Sequence, residues 1–217
     1  MDSPQPPKGM DYSEPDQIGL EAWEYDSSNE DQELPHKYSP NRPVATAHIH
    51  ELGVLNWKLD ILEWHKNPLL EEIKKNRGYN YSEILTLSQH ETENFEEKVK
   101  GFFQEHMHSQ EEIRLILDGS GYWDIRDYDE KWLRFRVTKG DLIVLPPGMF
   151  HRFTLDEAKY IKALLLYTEV PCRTQHERTE DESTARKLYV DTFLNKRMAI
   201  HETQMAVHET QMAALTV

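Results

Sequence analysis

The chain has a single cysteine, Cys172, among its 217 residues, so no disulfide can form within it. That usage fits a reducing compartment. Long apolar runs are also missing. Spanning a bilayer takes about 20 consecutive apolar residues, and the longest stretch in the C-terminal half, from Ile161 to Tyr167, is interrupted by Lys162. The opening residues Met1 to Pro7 lack the charged-then-apolar design of an export signal. A soluble intracellular protein without membrane insertion is expected. Basic charge is scarce as well, with 25 Lys+Arg against 39 Asp+Glu and a net charge of −14. Without a basic surplus there are few phosphate counterions to release, so no nucleic-acid partner is expected.

What is present can build one core. Five Trp, ten Tyr and seven Phe supply anchors, and the length suits one domain with tails. Residues 1–18, proline-rich and acidic, are expected to be a disordered extension. Leu20 to Tyr25 reads as a first strand and Ser27 to Pro43 as loop. Leu52 to Leu59 is apolar enough to be buried. Between Ile61 and Gly101 the signals are helical: Pro68 can open a helix, Leu69, Leu70 and Ile73 follow at helical spacing, and Phe95, Val99, Phe102 and Phe103 do so again. From Gln104 the pattern turns to strands. Asp118-Gly-Ser-Gly121 reads as a hairpin with Tyr122 to Arg126 returning. Further strands are expected around Leu133 to Val137, Leu142 to Leu145, Phe150 to Thr154 and Lys159 to Thr168. Short strands between glycine and proline turns, without long crossovers, predict a mainly β antiparallel barrel or sandwich with a few peripheral helices. Glu180 to Leu194 is the closing helix. Residues 195–217 form a tail in which Ile200 to Ala206 is repeated from Val207 to Ala213 with one change, Ile to Val. Two heptads are too few for a coiled coil.

The chemistry concentrates in Phe103 to Arg114. His106 and His108 stand two apart and share a strand face. Glu112 has the same parity, but four strand residues span about 13 Å, too far for donors that must sit about 2 Å from one ion. The chain should therefore bend at Ser109 to Glu111 and return Glu112. Glu112, Arg114 and Ile116 would then face inward, and Ile113, Leu115 and Leu117 the other way. His151, after the Pro147-Gly148 turn, can join from a later strand. Three imidazoles and one carboxylate suit Fe(II), Ni(II) and related ions, and leave two positions of an octahedral ion open to a chelating substrate. The pair His48 and His50 has the same spacing but no matching carboxylate, since Val54 stands at that offset. These two are expected to be ordinary.

His106-x-His108-x3-Glu112, Gly119 and Pro147-Gly-x-x-His151 resemble the two cupin motifs. With Glu111-Glu-Ile-Arg114, Leu117 to Tyr122, Asp124 to Asp127, Gly140-Asp141 and His151 to Thr154, they resemble acireductone dioxygenase, and the upstream Leu20 to Trp23, Asn29 to Gln32 and Leu52 to Leu59 resemble its eukaryotic, plant-like branch. The resemblance spans residues 19–194 and implies a cupin double-stranded β-helix barrel. It implies a methionine-salvage enzyme that cleaves 1,2-dihydroxy-3-keto-5-methylthiopentene with O2, giving 4-methylthio-2-oxobutanoate and formate with Fe(2+), or 3-methylthiopropanoate, formate and CO with Ni(2+). The ion, one per chain, would sit on His106, His108, Glu112 and His151. Arg114 would steady the enediolate charge, Phe102 and Phe153 would line the apolar side, and Glu111 is a candidate proton acceptor. A monomer in the cytoplasm, with the nucleus as a second compartment, is expected. One departure stands out: Glu169 to Thr174 replaces the family's Gly-Glu-Pro-Val-Trp-Thr, with Arg173 where the tryptophan is usual. That change motivates the alternative of a catalytically weakened cupin that binds or regulates.

Overall fold

One strand organises the molecule. In the computed structural model, which describes residues 19–171, 174–180 and 182–195, strand β5 runs unbroken from Glu112 to Arg126. Around it the other strands are β1 (Ala22–Glu24), β2 (Pro43–Val44), β3 (Leu55–Lys58), β4 (Tyr81–Ser88), β6 (Trp132–Thr138), β7 (Asp141–Leu145), β8 (His151–Leu155) and β9 (Tyr160–Tyr167). The first half of β5 pairs antiparallel with β7 and β9, which carry β3 and β4. Its second half pairs antiparallel with β6 and β8, and β6 carries β1 and then β2. Two five-stranded sheets thus share one strand and curl into the expected mainly β barrel. Among the described residues no helix is long and apolar enough to cross a membrane. The expectations for residues 1–18, the duplicated tail, Cys172 and Arg173 lie outside the described residues.

The hairpin expected at Asp118 to Gly121 is not formed. Those residues carry β5 from one sheet into the other, with an irregularity in its pairing to β9 between Ile116 and Asp118. A strand that turns such a corner must bend, and Gly119 supplies the bend at φ +76°. A Cβ there would collide with the backbone carbonyl of Tyr160. Gly119→Ala is therefore expected to destabilise the fold by at least about 2 kcal/mol, since left-handed backbone alone costs a side-chain-bearing residue about 1–3 kcal/mol. The urea midpoint of the variant is the check, and a wild-type midpoint would contradict it.

Strand β4 falls where helical signals were read. Its polarity is inverted at two positions: Glu83 points inward and accepts a hydrogen bond from Tyr167 Oη at 2.7 Å, while Ile84 is exposed. The period-2 hydrophobic signal is lost there. Helix α1 (Thr46–Glu51), for which no cue was read, buries Ile49. The other helices match their cues. Helix α2 (Pro68–Arg77) starts with the Asn67 side chain accepting from the Leu69 and Leu70 amides, and ends on Gly78 at φ 72°. Helix α3 (Phe95–Phe102) buries Phe95 and Val99. The closing segment is a short helix α4 (Thr184–Tyr189) followed by wider π-helical turns to Leu194.

Two cores flank the first sheet. The barrel interior holds Ile116, Trp123, Phe135, Ile143 and Leu165. Behind it, Ile113, Leu115 and Leu117 pack with Leu55, Trp57 and, from α2, Leu70 and Ile73. Both faces of β5 are thus apolar because both are covered.

Candidate metal centre

Residues 106–107 continue alongside β8 as an irregular edge. His106 and His151 exchange both backbone hydrogen bonds, at 3.0 and 2.9 Å, and this pairing sets their rings 4.6 Å apart centre to centre. The chain then bends at Ser109 and Gln110 before β5 begins at Glu112. His106, His108, Glu112 and His151 each offer one donor atom, and these four atoms lie within 4.8 Å of one another. The bend expected from the spacing is present. Arg114, two residues further on, shares the face of Glu112, and Ile116 enters the barrel core.

Each imidazole is oriented by a backbone carbonyl. His106 Nδ1 lies 2.7 Å from Gln104 O, His108 Nδ1 2.9 Å from Thr174 O, and His151 Nδ1 2.9 Å from Met149 O. A carbonyl can only accept, so each Nδ1 carries the proton, and each neutral ring turns an Nε2 lone pair inward. His151 Nε2 is 2.7 Å from Glu112 Oε2, and His108 Nε2 is 3.5 Å from the same oxygen. Yet His151 Nε2 and Glu112 Oε2 are shielded from water without making a hydrogen bond. Buried lone pairs converging on one point need a cation to satisfy them. The donor set therefore fits a divalent ion, with imidazole and carboxylate together suiting a first-row transition metal.

The electrostatics favour donors ready to ligate. Burial, reinforced by His151, pushes His106 down to about 3, and burial likewise lowers His108. Burial would raise Glu112, but charge partners led by the Arg114 guanidinium more than offset it and hold the carboxyl well below its usual range. Arg114 Nη2 sits 3.0 Å from Glu112 Oε1, and its Nη1 donates to Ile113 O at 2.9 Å. A pH dependence follows for the metal-free protein. Histidines whose folded pKa lies below the unfolded value of about 6.5 take up protons more readily when unfolded. Their contribution is present above pH ~6.5 and is lost as pH falls. Glu112 acts in the same direction, with its contribution present above its unfolded pKa and lost as pH falls through its depressed folded value. Chelator-treated protein is expected to show a urea midpoint that declines steadily from pH 6.5 to 5. A flat profile across that interval would contradict it.

A cavity opens beside the four donors. Phe102 and Phe153 line it, with Leu85, Leu87, Trp123 and Ile161. Trp123 and Phe153 touch at 4.4 Å between ring centres. Glu111 lines it too, but both of its carboxylate oxygens accept hydrogen bonds, from Arg77 and from Tyr79. His48 and His50 stay apart from the cluster: on α1 they meet Asp127 Oδ1 at 2.9 Å and Asn56 Oδ1 at 2.8 Å. The sequence marks Glu169 to Thr174 by its departure from the family but not the contacts that the chain from Thr174 to His176 makes with the ligand residues. His176 exchanges two 3.0 Å backbone hydrogen bonds with Met107, Thr174 orients His108, and Gln175 Nε2 lies 3.3 Å from His106 Nε2. These contacts run mostly through backbone atoms, which leave no residue-type signal.

The model of the ARD/ARD' family matches residues 21–175. The chain is 48% identical over 179 residues to acireductone dioxygenase 1 of Physcomitrium patens, covering 82% of this chain and 92% of that one. It is 46% identical over 177 residues to acireductone dioxygenase of Monodelphis domestica, covering 82% and 99%. A solved acireductone dioxygenase from Bacillus anthracis, with a cadmium ion in its active center, superposes with a TM-score of 0.57 at 21% identity over 73% of this chain and 98% of that one. That likeness shows the fold, the expected cupin barrel.

Proposed function

The chain belongs to the acireductone dioxygenase family, and from that premise we propose that it binds one divalent metal ion through His106, His108, Glu112 and His151 and cleaves an acireductone with O2. The observation that carries this reading is the set of four donors within 4.8 Å of one another, three of them imidazoles whose other nitrogen is held by a carbonyl. Fe(2+) is the ion for methionine salvage and Ni(2+) the alternative, because this donor set serves both. When bound, the metal supplies a Lewis acid and a template for the chelating enediolate.

The chain's own groups do the rest. Arg114, already beside Glu112, presents a cation where the anionic end of the substrate would lie. A guanidinium in this shielded place is a fixed partner for charged oxygens and needs no reorganisation to meet them. Phe102 and Phe153, with Trp123, form an apolar wall suited to the methylthio end.

Metal analysis with product identification tests the proposal. The purified chain should carry one divalent ion. The iron-loaded form should yield 4-methylthio-2-oxobutanoate and formate, and the nickel-loaded form should release carbon monoxide. Unconsumed acireductone with either metal would overturn the catalytic reading in favour of a binding protein.

A further inference from the structure

Glu112 meets the imidazoles of His108 and His151 only because the chain between His108 and β5 is bent, and that bend is gripped at Glu111. Glu111 Oε1 accepts from Arg77 Nη2, and Glu111 Oε2 accepts from Tyr79 Oη at 2.6 Å. Arg77 Nε in turn donates to Tyr79 Oη at 2.7 Å, closing the ring of three. The gripping residues sit 34 and 32 positions earlier in sequence, on either side of Gly78, the left-handed residue that ends α2. The Arg77 side chain is 2% exposed and that of Glu111 10%. A carboxylate and a guanidinium this shielded are strongly held as a pair, because separating them would leave a buried charge uncompensated.

We propose that Arg77 and Tyr79 are positioning residues of the metal centre, a latch that acts through Glu111 to present Glu112 to the ion. Adjacent residues of an extended chain send their side chains to opposite faces. Glu111 turns toward the hydroxyl of Tyr79, a residue of the second core, and Glu112 turns to His151. Pulling Glu111 back fixes the rotation of the chain, and with it the direction of the next carboxylate. The latch also joins α2 to the ligand strand, so the ligand geometry depends on an element that contributes no ligand. This inference rests on the metal reading above.

Ni(II) affinity, read by chelator competition beside the melting temperature of the metal-free chain, tests it. Tyr79→Phe removes one hydroxyl, and Glu111→Gln removes the charge that Arg77 faces. Both are expected to bind Ni(II) about tenfold more weakly or worse, the scale of losing an outer support of a metal ligand. Both should also show an altered Co(II) absorption spectrum. Leu55→Ala, on β3 in the same second core, should melt lower but bind Ni(II) as the wild type does. Wild-type Ni(II) affinity in either latch variant would overturn the proposal whatever its melting temperature, and so would an equal loss in Leu55→Ala. A wild-type chain that takes up no Ni(II) would instead bring down the metal reading itself and the latch's role with it.

Discussion

Replacing His108 with alanine is expected to strip the metal from the purified chain and abolish turnover with it. His108 is one of four donors converging on one point. Its ring is oriented by Thr174 O on one side and faces Glu112 Oε2 on the other. Alanine leaves three donors, and the look-alike pair His48 and His50 is engaged elsewhere, with Asp127 and Asn56. The loss of a direct ligand should exceed the 10–100-fold cost of losing an outer partner. Metal content by elemental analysis should fall far below one ion per chain. His50→Ala, with the same sequence spacing but a different place in the fold, should keep its metal. Full occupancy in His108→Ala would refute the ligand assignment.

Arg114→Met is expected to keep the metal-loaded chain folded while turnover falls by ~100-fold or more, the scale of removing one preorganised charge contact. The 3.0 Å pair with Glu112 makes the outcome less simple. Arg114 already balances a carboxylate, so part of its role is structural. In the metal-free chain, methionine would leave Glu112 shielded with less compensation, and stability should drop. In the loaded chain the ion takes over that compensation, and the guanidinium's remaining task is the substrate's charge. Kinetics on metal-replete, folded Arg114→Met separate the two roles. Near-normal turnover would refute substrate contact, whereas a variant that folds but cannot hold metal would make Arg114 a support for Glu112 alone.

The metal site was legible because its constraint is local and severe. Donors must lie about 2 Å from one ion, and that requirement turned the distance between His108 and Glu112 into a bend that the structure contains. Arg114 was placed by strand parity alone. The reading failed where geometry depends on a distant partner. Asp118 to Gly121 has the composition of a turn, but the competing demand was a strand changing sheets, which also selects glycine. Strand β4 hid because Glu83 is satisfied by Tyr167, 84 residues away. No local pattern announces such a partner.

The sequence by itself determined the class of fold, the four donors, and the distinction between His106-x-His108 and the look-alike His48-x-His50, because periodicity and donor spacing are properties of neighbouring residues. Tertiary structure alone decided which nitrogen of each imidazole faces inward, since the carbonyls of Gln104, Met149 and Thr174 settle that. It also decided that Glu111 is gripped by Arg77 and Tyr79 rather than left in solvent. The physical reason is the same in both cases. Backbone acceptors and buried charge partners act through space, at sequence separations of up to 66 residues, and a carbonyl is the same group whichever side chain its residue carries.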